Sequence, residues 1–109
     1  MKVENIAFQG DLMVRRVDRI PAEAKPVVAV AGRYIVAHSE TGHHHTVTAT
    51  GCEMHEASEF LAYLALATPA TIVHERSFDT HEPLYLDEGI WEIRRQREWT
   101  PEGERRAAD

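Results

Sequence analysis

The stretch Arg33-Tyr34-Ile35-Val36-Ala37-His38-Ser39-Glu40-Thr41-Gly42-His43-His44-His45-Thr46-Val47-Thr48-Ala49-Thr50 decides the fold. Tyr34, Ile35 and Val36 are aromatic or β-branched, types that suit a pleated surface, and alternation sets Tyr34, Val36 and His38 on one side. Ser39-Glu40-Thr41-Gly42 then breaks the apolar pattern with turn-forming residues. From His43 the alternation resumes, with His43, His45, Val47 and Ala49 on one face and His44, Thr46, Thr48 and Thr50 on the other. Segments 33–38 and 43–50 therefore read as the arms of a β-hairpin closed by a loop of about four residues.

Four of the seven histidines lie between positions 38 and 45. Histidine is the commonest metal ligand, and a His-x-His pair on one strand face aims two imidazoles the same way, as His43 and His45 do. His74 sits in a second β-rich segment, Ala70-Thr71-Ile72-Val73-His74-Glu75, and can meet them across a barrel mouth, with His38 or His81 completing the set. Zinc takes three or four such ligands, and a catalytic site leaves one position open for water. Glu75 and Glu40 are candidate carboxylate ligands, hydrogen-bond partners of an imidazole, or general bases for a bound water. The competing reading is a histidine-rich hairpin loop that wets in solvent. His55 reads as a surface residue.

Outward from the hairpin, most segments are short and β in character. Leu12–Val17 alternates after a Gly10-Asp11 break and reads as a strand, whereas Arg19–Pro26, with two prolines and no apolar pattern, suits a surface loop. Val27–Val30 is a short apolar run. Residues 60–67 fit either a helix capped by Ser58 or a buried strand; the unbroken apolar run between β-like neighbours favours strand. Leu84–Leu86 and Ile90–Ile93 flank the tight-turn signature Asp87-Glu88-Gly89. Thr100-Pro101-Glu102 carries a capping threonine, a first-turn proline and an acid, and so predicts a short C-terminal helix from Pro101. No internal repeat or low-complexity segment interrupts this pattern. The fold class it predicts is all-β, a small antiparallel barrel or sandwich of about seven to nine short strands with a short C-terminal helix.

With 109 residues the chain fits a single domain, 1–109, built on one core. Twelve Lys and Arg against eighteen Asp and Glu leave a net charge of −6, which disfavours a bulk-charge grip on nucleic acid or anionic membrane. No leader pattern and no apolar run of membrane-spanning length is present, so the expectation is a soluble, cytoplasmic protein. Cys52 is the only cysteine, which excludes an internal disulfide and a thiolate zinc knuckle. Its weak candidacy as a nucleophile has no local motif behind it.

A second constellation is Trp91-Glu92-Ile93-Arg94-Arg95-Gln96-Arg97-Glu98-Trp99. As a strand it puts Trp91, Arg95, Arg97 and Trp99 on one face, a stripe of the residues favoured at protein interfaces. Such a stripe can also stack on bases, but Glu92, Glu98, Glu102 and Glu104 neutralise it, so a subunit or assembly contact is preferred.

His43 and His45 also match the His-x-His dipeptide of the cupins, small double-sheet β folds, although Glu53 here follows Gly51 with the wrong spacing. More of the chain resembles a family of small uncharacterised bacterial and phage-encoded proteins. The resemblance rests on Gln9-Gly10-Asp11, Thr41-Gly42-His43-His44-His45, Val73-His74-Glu75 and Arg94-Arg95-Gln96-Arg97-Glu98-Trp99-Thr100-Pro101-Glu102. Here Trp99 stands where those relatives carry tyrosine, and Arg76–Thr80 separates Glu75 from His81. The resemblance implies a bacterial or phage origin, with virion association in the second case. The expectation is a β domain with a divalent-metal site, zinc foremost, and self-association or an assembly partner. The alternatives are a non-catalytic assembly component and a cupin-like metalloenzyme; no catalytic residue is assigned.

Overall fold

The computed structural model describes residues 1–37, 44–74 and 82–95 in full and the backbone of 97–100 and 103–106. Among them are twelve strands and no helix: β1 Ile6–Gln9, β2 Leu12–Val17, β3 Lys25–Pro26, β4 Arg33–Ala37, β5 His45–Thr48, β6 Cys52–Ser58, β7 Leu61–Leu66, β8 Ala70–His74, β9 Leu84–Leu86, β10 Gly89–Arg95, β11 Arg97–Thr100 and β12 Gly103–Arg106. A six-stranded sheet runs in the order β1-β2-β10-β7-β6-β3 and a four-stranded sheet in the order β4-β5-β8-β9, while β11 and β12 form a hairpin. The named strands all pair antiparallel; Lys2 adds a parallel bridge to Tyr85, tying the N-terminal segment to β9. No helix among the described residues is long and apolar enough to cross a membrane.

Alternation builds the core. Leu12 and Val14 of β2, Trp91 and Ile93 of β10, Leu64 and Leu66 of β7 and Met54 of β6 turn inward from the larger sheet. Val36, Val47, Ile72, Leu84 and Leu86 meet them from the smaller one, in one continuous apolar cluster. The all-β expectation holds, and residues 61–66 are strand, because Leu64 and Leu66 must alternate with Tyr63 to reach the core.

Three expectations are corrected. There are twelve strands rather than seven to nine. Lys25–Pro26 of the expected surface loop pairs with β6 as β3, β11 and β12 pair with each other, and Gly10-Asp11 is a two-residue connection between paired Gln9 and Leu12, so the residues before it form β1. Gly10, at φ 62°, takes the left-handed conformation that this tight turn asks for. The C-terminal helix is replaced over Gly103–Arg106 by β12, with Thr100 facing Gly103 and Trp99 facing Glu104. A short segment containing glycine nucleates a helix poorly, whereas pairing with β11 supplies backbone hydrogen bonds at once; the helix start at Pro101 lies outside the described residues. Thirdly, Trp91 and Arg95 do not line an exposed interaction edge. Trp91 is fully buried, with Nε1 donating to the carbonyl of Asp87 and the Arg16 guanidinium 4.3 Å above its ring, and Arg95 is only 4 % exposed. The predicted alternation is real, but its face points inward. Arg97 and Trp99 lie on β11, whose side chains are outside the described residues.

Candidate functional site

Two cross-strand rows meet at one end of the sandwich. On the smaller sheet Ala37, His45 and His74 are register partners across β4, β5 and β8. On the larger sheet Gln9, Leu12 and Arg95 are register partners across β1, β2 and β10, and Asp11 sits in the β1–β2 turn beside them. Every polar member of this group is withdrawn from solvent: Gln9, Asp11, His45, His74 and Arg95 all have less than a tenth of their surface exposed. Burying so many polar groups is costly unless they satisfy one another.

Most of them do. Arg95 Nε donates to Asp11 Oδ2 at 2.9 Å, a buried charge-assisted bond. Gln9 Nε2 donates to the carbonyls of Ile72 and Glu82, both at 3.0 Å, and its Oε1 lies 2.9 Å from His45 Nδ1. The rings of His45 and His74 stack with centroids 4.0 Å apart and planes 12° from parallel. His45 Nε2 makes no hydrogen bond among the described residues, and the carboxylate oxygen Asp11 Oδ1 stands 3.5 Å away.

Of the histidines proposed as ligands, the structure brings His45 and His74 together, fully buried on the inner face, as the alternation of residues 43–50 expects for His45. His38, His43, His81, Glu40 and Glu75 lie outside the described residues. The strand ends at Ala37, His45 and His74 are nonetheless the points from which segments 38–43 and 75–81 continue along the chain. Nearly parallel rings hold their nitrogen lone pairs in separate planes, so His45 with Asp11, rather than with His74, makes the converging pair. Among the described residues, no three His, Cys, Asp or Glu side chains are grouped as a metal site.

Gln9 and Asp11 are not singled out as site residues by the sequence, and the face that carries Arg95 is buried rather than an exposed edge. The one available signal was chemical: two polar residues flanking a turn glycine, Gln9-Gly10-Asp11, immediately before an apolar strand. At the opposite end of β10, a surface depression of about 520 Å³ is bordered by Gly51, Cys52, Glu53 and Ile90. Burial, reinforced by Glu53, pushes the Cys52 thiol up to about 11, so it is protonated at neutral pH and unsuited to nucleophilic attack.

A family described as a domain of unknown function, DUF8820, matches residues 8–96, from the end of β1 through β10. No curated protein and no solved structure matches.

Proposed function

We propose that this chain, which belongs to the DUF8820 family, is a divalent-metal-binding β domain whose ion is held at the sandwich end beside His45. The observation that carries this reading is a fully buried imidazole, His45, with one nitrogen bound to Gln9 and the other, opposite a carboxylate, making no hydrogen bond among the described residues. Imidazole nitrogens that bind metal typically have their second nitrogen held in this way. His38, His43 and His81, on the segments adjoining the same strand ends, would supply the remaining donors, with Glu40 and Glu75 as carboxylates nearby. His74 stacks on His45 and keeps its ring in place. Zinc is the first expectation, because its sites accept imidazole and carboxylate together. Elemental analysis of untagged protein after metal supplementation tests this: close to one equivalent is expected, and less than about a tenth of an equivalent of zinc, iron, manganese, nickel and copper together would reject it.

A second reading, an assembly module, draws on exposed apolar side chains. Ile6 and Phe8 are about half exposed on edge strand β1, and Val28 and Val30 are 85 % and 75 % exposed beside a groove of about 360 Å³. Edge strands with apolar side chains favour pairing with another chain. Light scattering of wild type and of the Ile6→Lys, Phe8→Lys double variant tests it. Self-association lost in the variant would support it, and a monomeric wild type with no partner in a pull-down would count against it.

A further inference from the structure

Among the described residues the two packed sheets have four edge strands, and three of them are defended against a further strand. In β3, Val27 N bonds to the Met54 carbonyl, so Pro26 faces outward, where it has no N–H to give. β4 is interrupted by a bulge between Ile35 and Ala37. β9 is already covered, since Val3 N donates to the carbonyl of Tyr85 and Tyr85 N to that of Met1, at 2.9 and 2.8 Å. β1, Ile6-Ala7-Phe8-Gln9, has none of these defences and no formal charge. Resting on the assembly reading above, we propose that β1 pairs antiparallel with β1 of a second copy of this chain, about a two-fold axis at Ala7, joining the larger sheets of the two copies into one.

The ladder identifies the groups that await a partner. Hydrogen-bonded and non-bonded pairs alternate in an antiparallel pair. Arg16 N donates to the Asn5 carbonyl at 2.8 Å, so Ala7 and Gln9 are the residues of β1 that bond to Val14 and Leu12 of β2. The N–H and C=O of Ile6 and Phe8 therefore point away from β2, with no strand beside them among the described residues. Outward backbone groups at alternate residues are matched by an extended strand, not by a helix. The side chains agree with this. Ile6 and Phe8 are 52 % and 53 % exposed on the outer face, while Ala7 and Gln9 are buried on the inner one.

Self-pairing and its register follow from the pattern. Centred on Ala7, Ile6 of each copy faces Phe8 of the other, and each such pair exchanges two hydrogen bonds. The smallest side chain of the strand then lies on the axis, and Ile6 packs on a Phe8 ring that has Met13 beside it on β2. Centring on Ile6 would instead set Phe8 against Glu4, an exposed acid, and centring on Phe8 would set Ile6 against Gly10, where the chain already turns into β2. The Ala7 register alone matches apolar to apolar along the edge. Such a contact is isologous and closes on itself, and an edge of four residues makes it weak and concentration-dependent.

The test uses the full wild-type chain, so no variant has to fold. Over a roughly 100-fold rise in concentration, followed by light scattering, hydrogen exchange at the Ile6 and Phe8 amides should slow at least about 10-fold more than at Ala7 and Gln9, already bonded to β2. The register is read separately. Directly opposed Cβ atoms lie about 4.5–5.5 Å apart and diagonal ones about 7–8 Å, so an oxidised mixture of Ile6→Cys and Phe8→Cys chains should form the mixed disulfide at least about 3-fold faster than either variant links to itself. Cys52 is buried and stays out of the reaction. Faster linkage within either single variant would overturn the register. Self-association with the Ile6 and Phe8 amides unchanged would overturn the β1 pairing and leave the assembly reading standing. A wild type that stays monomeric throughout would overturn this inference, and the assembly reading falls with it only if a pull-down also finds no partner.

Discussion

Arg95 and Asp11, 84 positions apart in the chain, form an ion pair with both side chains 2–3 % exposed. Breaking such a pair on one side leaves an uncompensated charge in the interior, whereas removing both partners together costs far less. Arg95→Met alone should therefore destabilise the fold by roughly 3–5 kcal/mol. The Asp11→Asn, Arg95→Met double variant should recover much of that loss. Urea denaturation of the two variants checks the difference; equal losses would mean that the guanidinium is not tied to the carboxylate.

Gly51 and Gly32 make a matched pair. Both have positive φ, 69° and 75°, but a Cβ at Gly51 would collide with Thr68 Oγ1 while one at Gly32 meets nothing within 4 Å. Gly32→Ala should cost only the conformational penalty, about 1–2 kcal/mol, and Gly51→Ala distinctly more. Thermal midpoints in the reverse order would show that the turn before β6 is looser than its geometry implies.

Cys52 gives stability an alkaline limit. The unfolded thiol ionises near 9.0 and the folded one near 11, so below pH 9 both states keep the proton and the contribution is complete. As pH rises from 9 to 11 the unfolded state alone loses it, and stability falls. Tyr63, raised in the same direction first by burial and then by Glu92, adds to that loss. Cys52→Ala should flatten the decline without abolishing it, as read from urea midpoints across this range; wild-type midpoints that stay constant would contradict it. At neutral pH the thiol should also resist alkylation in the native state and react on unfolding.

Zinc should stabilise the folded state by mass action. At a free concentration 100 times Kd the gain is about 2.7 kcal/mol, visible as a raised thermal midpoint that chelator reverses. His45→Ala should lose this response. A variant that still gains as much would place the ion elsewhere.

The pairing of β4 with β5 was legible because its signal is local: alternation fixed the face of His45 and Val47, while the expected turn at 39–42 lies outside the described residues. Alternation along residues 91–95 was equally clear, but periodicity reports which residues share a face and not which face meets the core. A tryptophan with guanidinium neighbours therefore read as an outer edge, although the guanidinium is neutralised by a partner at the far end of the sequence. Gln9 and Asp11 were missed for the same reason. What identifies them is their position opposite His45, and that depends on how the two sheets stack. The C-terminal helix failed on a different point, since capping signals at Thr100 and Pro101 were weighed without the competing option of pairing back onto β11.

The pairing of β2 with β10 imposes an order on biosynthesis. At roughly 5–20 residues per second, a nascent chain that has just displayed Asp11 waits on the order of 4–17 s before Arg95 is added. Over that interval Leu12 and Val14 have only β1 beside them in the sheet. The β1–β2 hairpin thus leaves the ribosome well before the strand that encloses it, and it is where a holding chaperone would act and where premature termination upstream of β10 would leave an aggregation-prone fragment.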